Sequence, residues 1–209
     1  MSLLKSKSKV AGILTTLLIA FAILSISIIK STPPHKAYAY APMVLSQKVE
    51  SNKKEDIDYP LPYAGKINPD NTLWYAKVVR DKVWYIFTFN KEKKLELNLI
   101  FANKRLKSSV YLFENNKPDL GLSTLTKAEK YLELAVPKNA DDAFYLKKVA
   151  TASLKHREVI ENKILSLSPE DIAPQVNKIN DYSKETYKKV RDLLYSTGQI
   201  PPENIFELK

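Results

Sequence analysis

The stretch from Lys91 to Asn115, KEKKLELNLIFANKRLKSSVYLFEN, decides the fold. Leu95, Leu99, Ala102, Leu106, Ser109 and Phe113 recur in alternating steps of four and three residues. Side chains at that spacing share one side of an α-helix, so the pattern predicts a helix with a heptad-like seam turned toward other helices.

The same rhythm continues on both sides. Upstream, Pro69-Asp70-Asn71 gives a helix start, and Leu73, Ala76, Val79, Val83 and Ile86 or Phe87 predict a first helix ending near Phe89-Asn90. Trp74, Val78 and Tyr85 widen its apolar surface beyond one stripe, so this helix is expected either to sit centrally or to touch something further. Downstream, ENNKPD breaks the chain, and Leu122, Leu125, Ala128, Leu132 and Ala135 predict a third helix reaching Val136-Pro137. The short connection makes it antiparallel to the second.

A fourth helix is expected over Asp141 to Leu167, with Leu146, Val149, Ser153, His156, Ile160 and Ile164 along one side. Ser168, Pro169 and Asp171 resemble a capping box, and Pro174 either begins the last helix or kinks it. Ile172, Val176, Ile179, Ser183, Thr186, Val190 and Leu193 carry that helix to Gly198. The chain holds only 4 glycines, which suits long helices better than tight hairpins. The expected fold is all-α: an antiparallel bundle of about five helices over residues 59–198, with 199–209 as a C-terminal tail. The second and third helices also resemble a tetratricopeptide-type hairpin, but no second copy is present to build an array.

Before the bundle lies a different kind of sequence. Val10 to Ile29 is an uncharged apolar run, and at about 1.5 Å rise per residue it matches a bilayer core of roughly 30 Å. Residues 1–30 are expected to be a basic tail with a transmembrane helix, the membrane being the chain's first partner. Ala37-Tyr38-Ala39 has the small-x-small form of a signal-peptidase site, so a cleaved signal peptide is the alternative. Both readings put the C-terminal domain outside the cytoplasm, and the first makes the protein single-pass. Residues 31–58 read as a flexible linker, and Tyr59-Pro60-Leu61-Pro62-Tyr63 as an extended strap pressed onto the bundle by its Tyr and Leu.

The formal charge is +10 and there is no cysteine, which excludes disulfides, thiolate metal sites and a cysteine nucleophile. Five lysines precede residue 37 without an acid, so half of the excess belongs to the targeting segment. The rest concentrates in the first half of the domain. Lys77, Arg80, Lys82, Lys93, Lys94, Lys104 and Arg105, interleaved with the aromatic pairs Trp74-Tyr75 and Trp84-Tyr85, make a candidate basic face for anionic lipid or cell-wall polymer. The plainer reading is a core helix with a solvated lysine face. An extracytoplasmic location argues against nucleic acid as a partner.

Catalytic candidates are few. His35 falls in the linker, leaving His156 as the one histidine in the domain, and no histidine stands three or four residues from it to help bind a metal. Its expected role is a half-buried hydrogen bond to a neighbouring helix, with a metal site shared with Glu161 or another carboxylate as the minor alternative. Asp141-Asp142 suits a helix start better than paired acid catalysis. No glycine-rich phosphate loop occurs. No enzyme and no cofactor are expected.

The stretch YPLPYAGKINPDNTLWYAKVVRDKVWYIFTFNKEKKLELNLIFANKRL, followed by KAEKYLELA and KHREVIENKIL, resembles a bacterial family, the domain of unknown function numbered 5667. The resemblance spans about Tyr59 to Leu194 and rests on a Leu-Pro, Pro-Asp, aromatic, Lys-x-x-Arg-Asp series. Ala64 and Trp74-Tyr75 depart from it, standing where Pro and a smaller aromatic pair are expected. It implies an all-helical domain behind a signal peptide or membrane span, without an activity to carry over. The function expected from all of this is an extracytoplasmic interaction or scaffold module of the cell envelope. Binding of an anionic surface or polymer, or chaperone-like client binding, stands as the alternative.

Overall fold

The computed structural model describes residues 57–207, together with Thr15. The segment expected to span the membrane, the signal-peptidase site at Ala39 and most of the linker lie outside the described residues, apart from Thr15. Residues 57–207 fall within one compact unit running from Asn52 to Lys209. Among the described residues there are five helices and no strand, and no helix is long and apolar enough to cross a membrane.

The helices are α1 (Trp74–Phe87), α2 (Lys91–Glu114), α3 (Pro118–Leu134), α4 and α5 (Ala173–Ser196). Helix α4 runs over Ala143–Val159, loosens into a π-turn at Ile160–Ile164 and closes with one α-turn at Leu165–Leu167. Helices α2 to α5 make the bundle: α2 packs on α3, α3 on α5, and α5 on α4.

The turns explain the connectivity. Asn116 stands at φ +55, which asparagine tolerates better than most residues, while its N–H donates to the Phe113 carbonyl and that of Lys117 to the Leu112 carbonyl. These two bonds close α2, and Pro118 opens α3 at a position where a missing N–H costs nothing. The third helix therefore starts four residues before Leu122, where the apolar pattern alone placed it. Gly198 (φ +70) ends α5 with the same pair of bonds, to Tyr195 and Leu194.

Helices α2 and α3 meet closely because Gly121 has no side chain: a β-carbon there would lie 2.8 Å from the Phe113 ring. The Ser109 hydroxyl donates to the Gly121 carbonyl at 2.8 Å across the same contact. Elsewhere the Asp142 side chain caps α4 by accepting from Tyr145 N–H at 2.9 Å, which fits the helix-start reading of the Asp pair. Ser168 does not form the expected capping box. Its hydroxyl donates back to the Ile164 carbonyl, finishing α4, and Pro174 begins α5 rather than kinking it.

Two apolar clusters fill the bundle. One gathers Leu99, Ala102, Leu132, Leu146, Val149, Tyr187, Val190 and Leu194. The other gathers Leu106, Phe113, Leu125, Val159, Ile160, Ile164, Val176 and Ile179. The heptad seam of α2 thus divides its leucines between two cores. The strap presses on both: Ile57 and Tyr59 pack against the first and Leu61 against the second. The segment after α5, expected to be a tail, folds back, with the Tyr187 hydroxyl donating to the Pro202 carbonyl and Arg157 stacking 4.0 Å from the Phe206 ring.

Candidate functional site

One buried polar side chain from each bundle helix joins a single hydrogen-bonded group: Asn103 from α2, Glu129 from α3, His156 from α4 and Ser183 from α5. His156 and Glu129 are 0% exposed. The imidazole Nδ1 lies 2.7 Å from Glu129 Oε1, and its Nε2 lies 3.0 Å from Asn103 Oδ1. The Ser183 hydroxyl donates to Glu129 Oε2 at 2.7 Å, and the Asn103 amide donates to the Tyr59 hydroxyl oxygen at 2.8 Å.

The imidazole therefore bridges two helices, reaching α3 through Glu129 and α2 through Asn103. A carboxyl group in so dry a place holds because both of its oxygens are bonded, Oε1 to the ring and Oε2 to Ser183. Its chemistry is positional. The Ser183 hydroxyl turns to the carboxylate and not to the imidazole, the reverse of a base-activated nucleophile. The sequence expectation for His156 is corrected in extent: the ring is fully buried and ties two helices, not one. Glu161, its possible metal partner, instead accepts from Arg157 and Asn180. Among the described residues no group of three or more His, Asp or Glu is placed to hold a metal.

The chain's outer surface centres on α1. No residue of this helix is buried. Trp74, Lys77, Val78, Asp81, Trp84 and Tyr85 are half-buried on its inner side, where the Trp84 ring meets Phe101 of α2 edge-on at 6.4 Å. Val79 is 56% exposed, Ile86 63% and Phe87 57%, with Leu73, Tyr75 and Phe89 exposed beside them. The first helix is therefore peripheral rather than central. Much of the stripe that sequence spacing assigned to the core faces outward, because the wider indoles, at Trp74 and Trp84, take the inner positions.

The residues of the candidate basic face divide between internal contacts and open surface. Lys77 Nζ donates to the Ala64 and Ile67 carbonyls at 2.8 and 3.2 Å and lies 4.7 Å from the Trp74 ring, pinning the strap to α1. Burial pulls the Lys77 ammonium down to about 8; Asp81 opposes this, while Lys104, Arg80 and Arg105 add to it by repulsion. Arg80 pairs with Asp81 at 2.7 Å, and Lys94 covers the Tyr85 ring at 5.1 Å. Arg105 is buried, with its guanidinium 4.6 Å from the Tyr131 ring. Lys82 and Lys93 stand exposed and Lys104 half-exposed. Tyr75 is the one member of the four candidate aromatics that faces solvent openly.

The polar layer was not singled out from sequence, although a signal for it exists. Asn103 follows Ala102 and Glu129 follows Ala128 immediately beside seam positions, while His156 and Ser183 lie on the seams themselves. Residues 66–170 match the family model described as Domain of unknown function (DUF5667). The chain belongs to that family. No curated protein and no solved structure matches it. The matched region contains Asn103, Glu129 and His156 but neither Tyr59 nor Ser183, which complete the polar layer from the strap and α5.

Proposed function

We propose that the protein is an extracytoplasmic interaction module of the cell envelope, tethered by its apolar N-terminal segment and meeting its partner through the outer face of α1. The observation that carries this reading is the set of Val79, Ile86 and Phe87 on a helix with no buried residue. Apolar side chains arranged on one exposed helix face mark a protein–protein contact more often than scattered single residues do. The bundle behind it is closed by its own polar layer and two filled cores, so it acts as a rigid mount. No catalytic role is assigned to it.

Anionic membrane or wall polymer is the second reading, favoured by the exposed Lys82 on α1 and the exposed Lys91 and Lys93 at the start of α2. It is the weaker one, since Lys77 bonds backbone carbonyls, Arg80 pairs with Asp81 and Lys94 covers the Tyr85 ring. Chaperone-like client binding has less support still, because the seams of the bundle are occupied by its own leucines.

The location is testable through the absence of cysteine. A single cysteine at Lys163, exposed on α4, is expected to react with a membrane-impermeant maleimide in intact cells. Labelling only after the cells are broken would refute the extracytoplasmic placement.

A further inference from the structure

Behind the apolar face of α1 lies a charge imbalance that the interaction reading does not use. Lys77 and Arg80 of α1 come together with Lys104 and Arg105 of α2, each of the other three adding repulsion at Lys77. Asp81 is the carboxylate that balances this group, and its Oδ1 already accepts two bonds from Arg80. Lys104 has no ion-pair partner among the described residues.

Arg105 is the unusual member. It is 8% exposed, and its guanidinium is held by π faces, 4.6 Å from Tyr131 and 6.0 Å from Phe101, where a buried arginine ordinarily meets a carboxylate. Its Nε–H is buried and has no acceptor among the described residues. A buried charged donor left unbonded carries a substantial desolvation cost, and an acceptor with negative charge removes it.

We propose that the seam between α1 and α2 is a binding site for an anion of the phosphate class, with Arg105 and Lys104 as its donors and Lys77 and Arg80 supplying the surrounding positive field. The four cations come from two helices, Lys77 and Arg80 from α1 and Lys104 and Arg105 from α2. A tetrahedral oxyanion can accept from several directions at once, whereas a planar carboxylate is satisfied by the guanidinium fork alone. Four cations against one carboxylate also favour a ligand with more than one negative charge or with neighbouring phosphates. The ligand could be free phosphate or the phosphate of a lipid headgroup, which share this chemistry. The site is independent of the partner reading, since it uses the inner side of α1 and not Val79, Ile86 or Phe87.

The test uses the full chain in zwitterionic detergent, titrated separately with inorganic phosphate and with glycerophosphoglycerol, and the full chain in vesicles with and without phosphatidylglycerol. Binding is read from the Nε–H resonance of Arg105 and from tryptophan fluorescence, the chain's 2 tryptophans being Trp74 and Trp84. The expected result is a saturable shift with at least one probe. Arg105→Met and Lys104→Gln should each weaken it about tenfold or more, the scale of one charge-assisted hydrogen bond, while Lys82→Gln leaves it unchanged. A response to inorganic phosphate alone assigns a soluble ligand; one to the headgroup or phosphatidylglycerol assigns lipid. Because Arg105→Met alters a buried position, circular dichroism must show native helix content, and the half-exposed Lys104→Gln gives a separate reading. No saturable response to any probe, or an equal response in Lys104→Gln and wild type, overturns the site. Neither result bears on the partner contact, which is measured at Val79.

Discussion

Tyr59, in the proline strap, and Asn103, in the middle of α2, meet through a 2.8 Å hydrogen bond, and the same Asn103 amide lies 3.0 Å from His156. The point where the N-terminal segment enters the domain is thereby tied to the buried His156–Glu129 contact. Tyr59→Phe leaves the Asn103 N–H buried and unpaired, and is expected to cost about 1 to 3 kcal/mol. Urea unfolding measures the loss, and limited proteolysis between residues 57 and 66 should speed up as the strap loosens.

The His156–Glu129 pair should behave as one unit. Replacing Glu129 with Gln removes a carboxylate bonded to both the imidazole and Ser183, and leaving such buried partners poorly paired typically costs about 1 to 3 kcal/mol. The double replacement of His156 and Glu129 by Leu removes both partners and is expected to cost less than the sum of the two single replacements, Glu129→Leu and His156→Leu. Denaturant unfolding of the four proteins closes the cycle.

Gly121→Ala tests the close approach of α2 and α3. Its new methyl group meets the Phe113 ring at 2.8 Å, which requires a shift and should cost about 1 to 3 kcal/mol despite the better helix propensity of alanine. Adding Phe113→Leu makes room, so Gly121→Ala should cost less in that background. Thermal unfolding of the four variants decides it.

Lys77 gives a pH signature. Its ammonium titrates at about 8 in the folded chain against 10.5 unfolded. Between those values the unfolded chain holds a proton that the folded chain has released, so stability rises with pH across this window. Below about 8 the full cost of the buried charge is present. The melting temperature of wild type relative to Lys77→Met should therefore climb from pH 7.5 to 9.5; a flat or falling difference contradicts the assignment.

What the sequence made legible followed from repetition. The four-and-three spacing of α2, α4 and α5 located those helices, and Pro118, Gly198 and the Asp142 cap mark ends whose signals act locally. Two things escaped it. The outward turn of α1 depends on Trp84 finding Phe101, a contact between helices that no spacing within α1 encodes. The polar layer depends on four side chains from four helices arriving at one level, and each alone looks like an ordinary interruption of a seam. The placement of the basic residues was hidden for a related reason: charge counts do not reveal that Lys77 bonds the strap or that Arg105 stacks on Tyr131.

The central claim is that the outer face of α1 is where this domain meets its partner. A photoreactive amino acid at Val79, with the same group at the exposed Lys178 of α5 as control, tests it in native membranes. The account predicts a discrete crosslinked adduct from Val79 that disappears when Ile86 and Phe87 are changed to Glu, and none from Lys178. No adduct at Val79, or the same adducts from both positions, would contradict it.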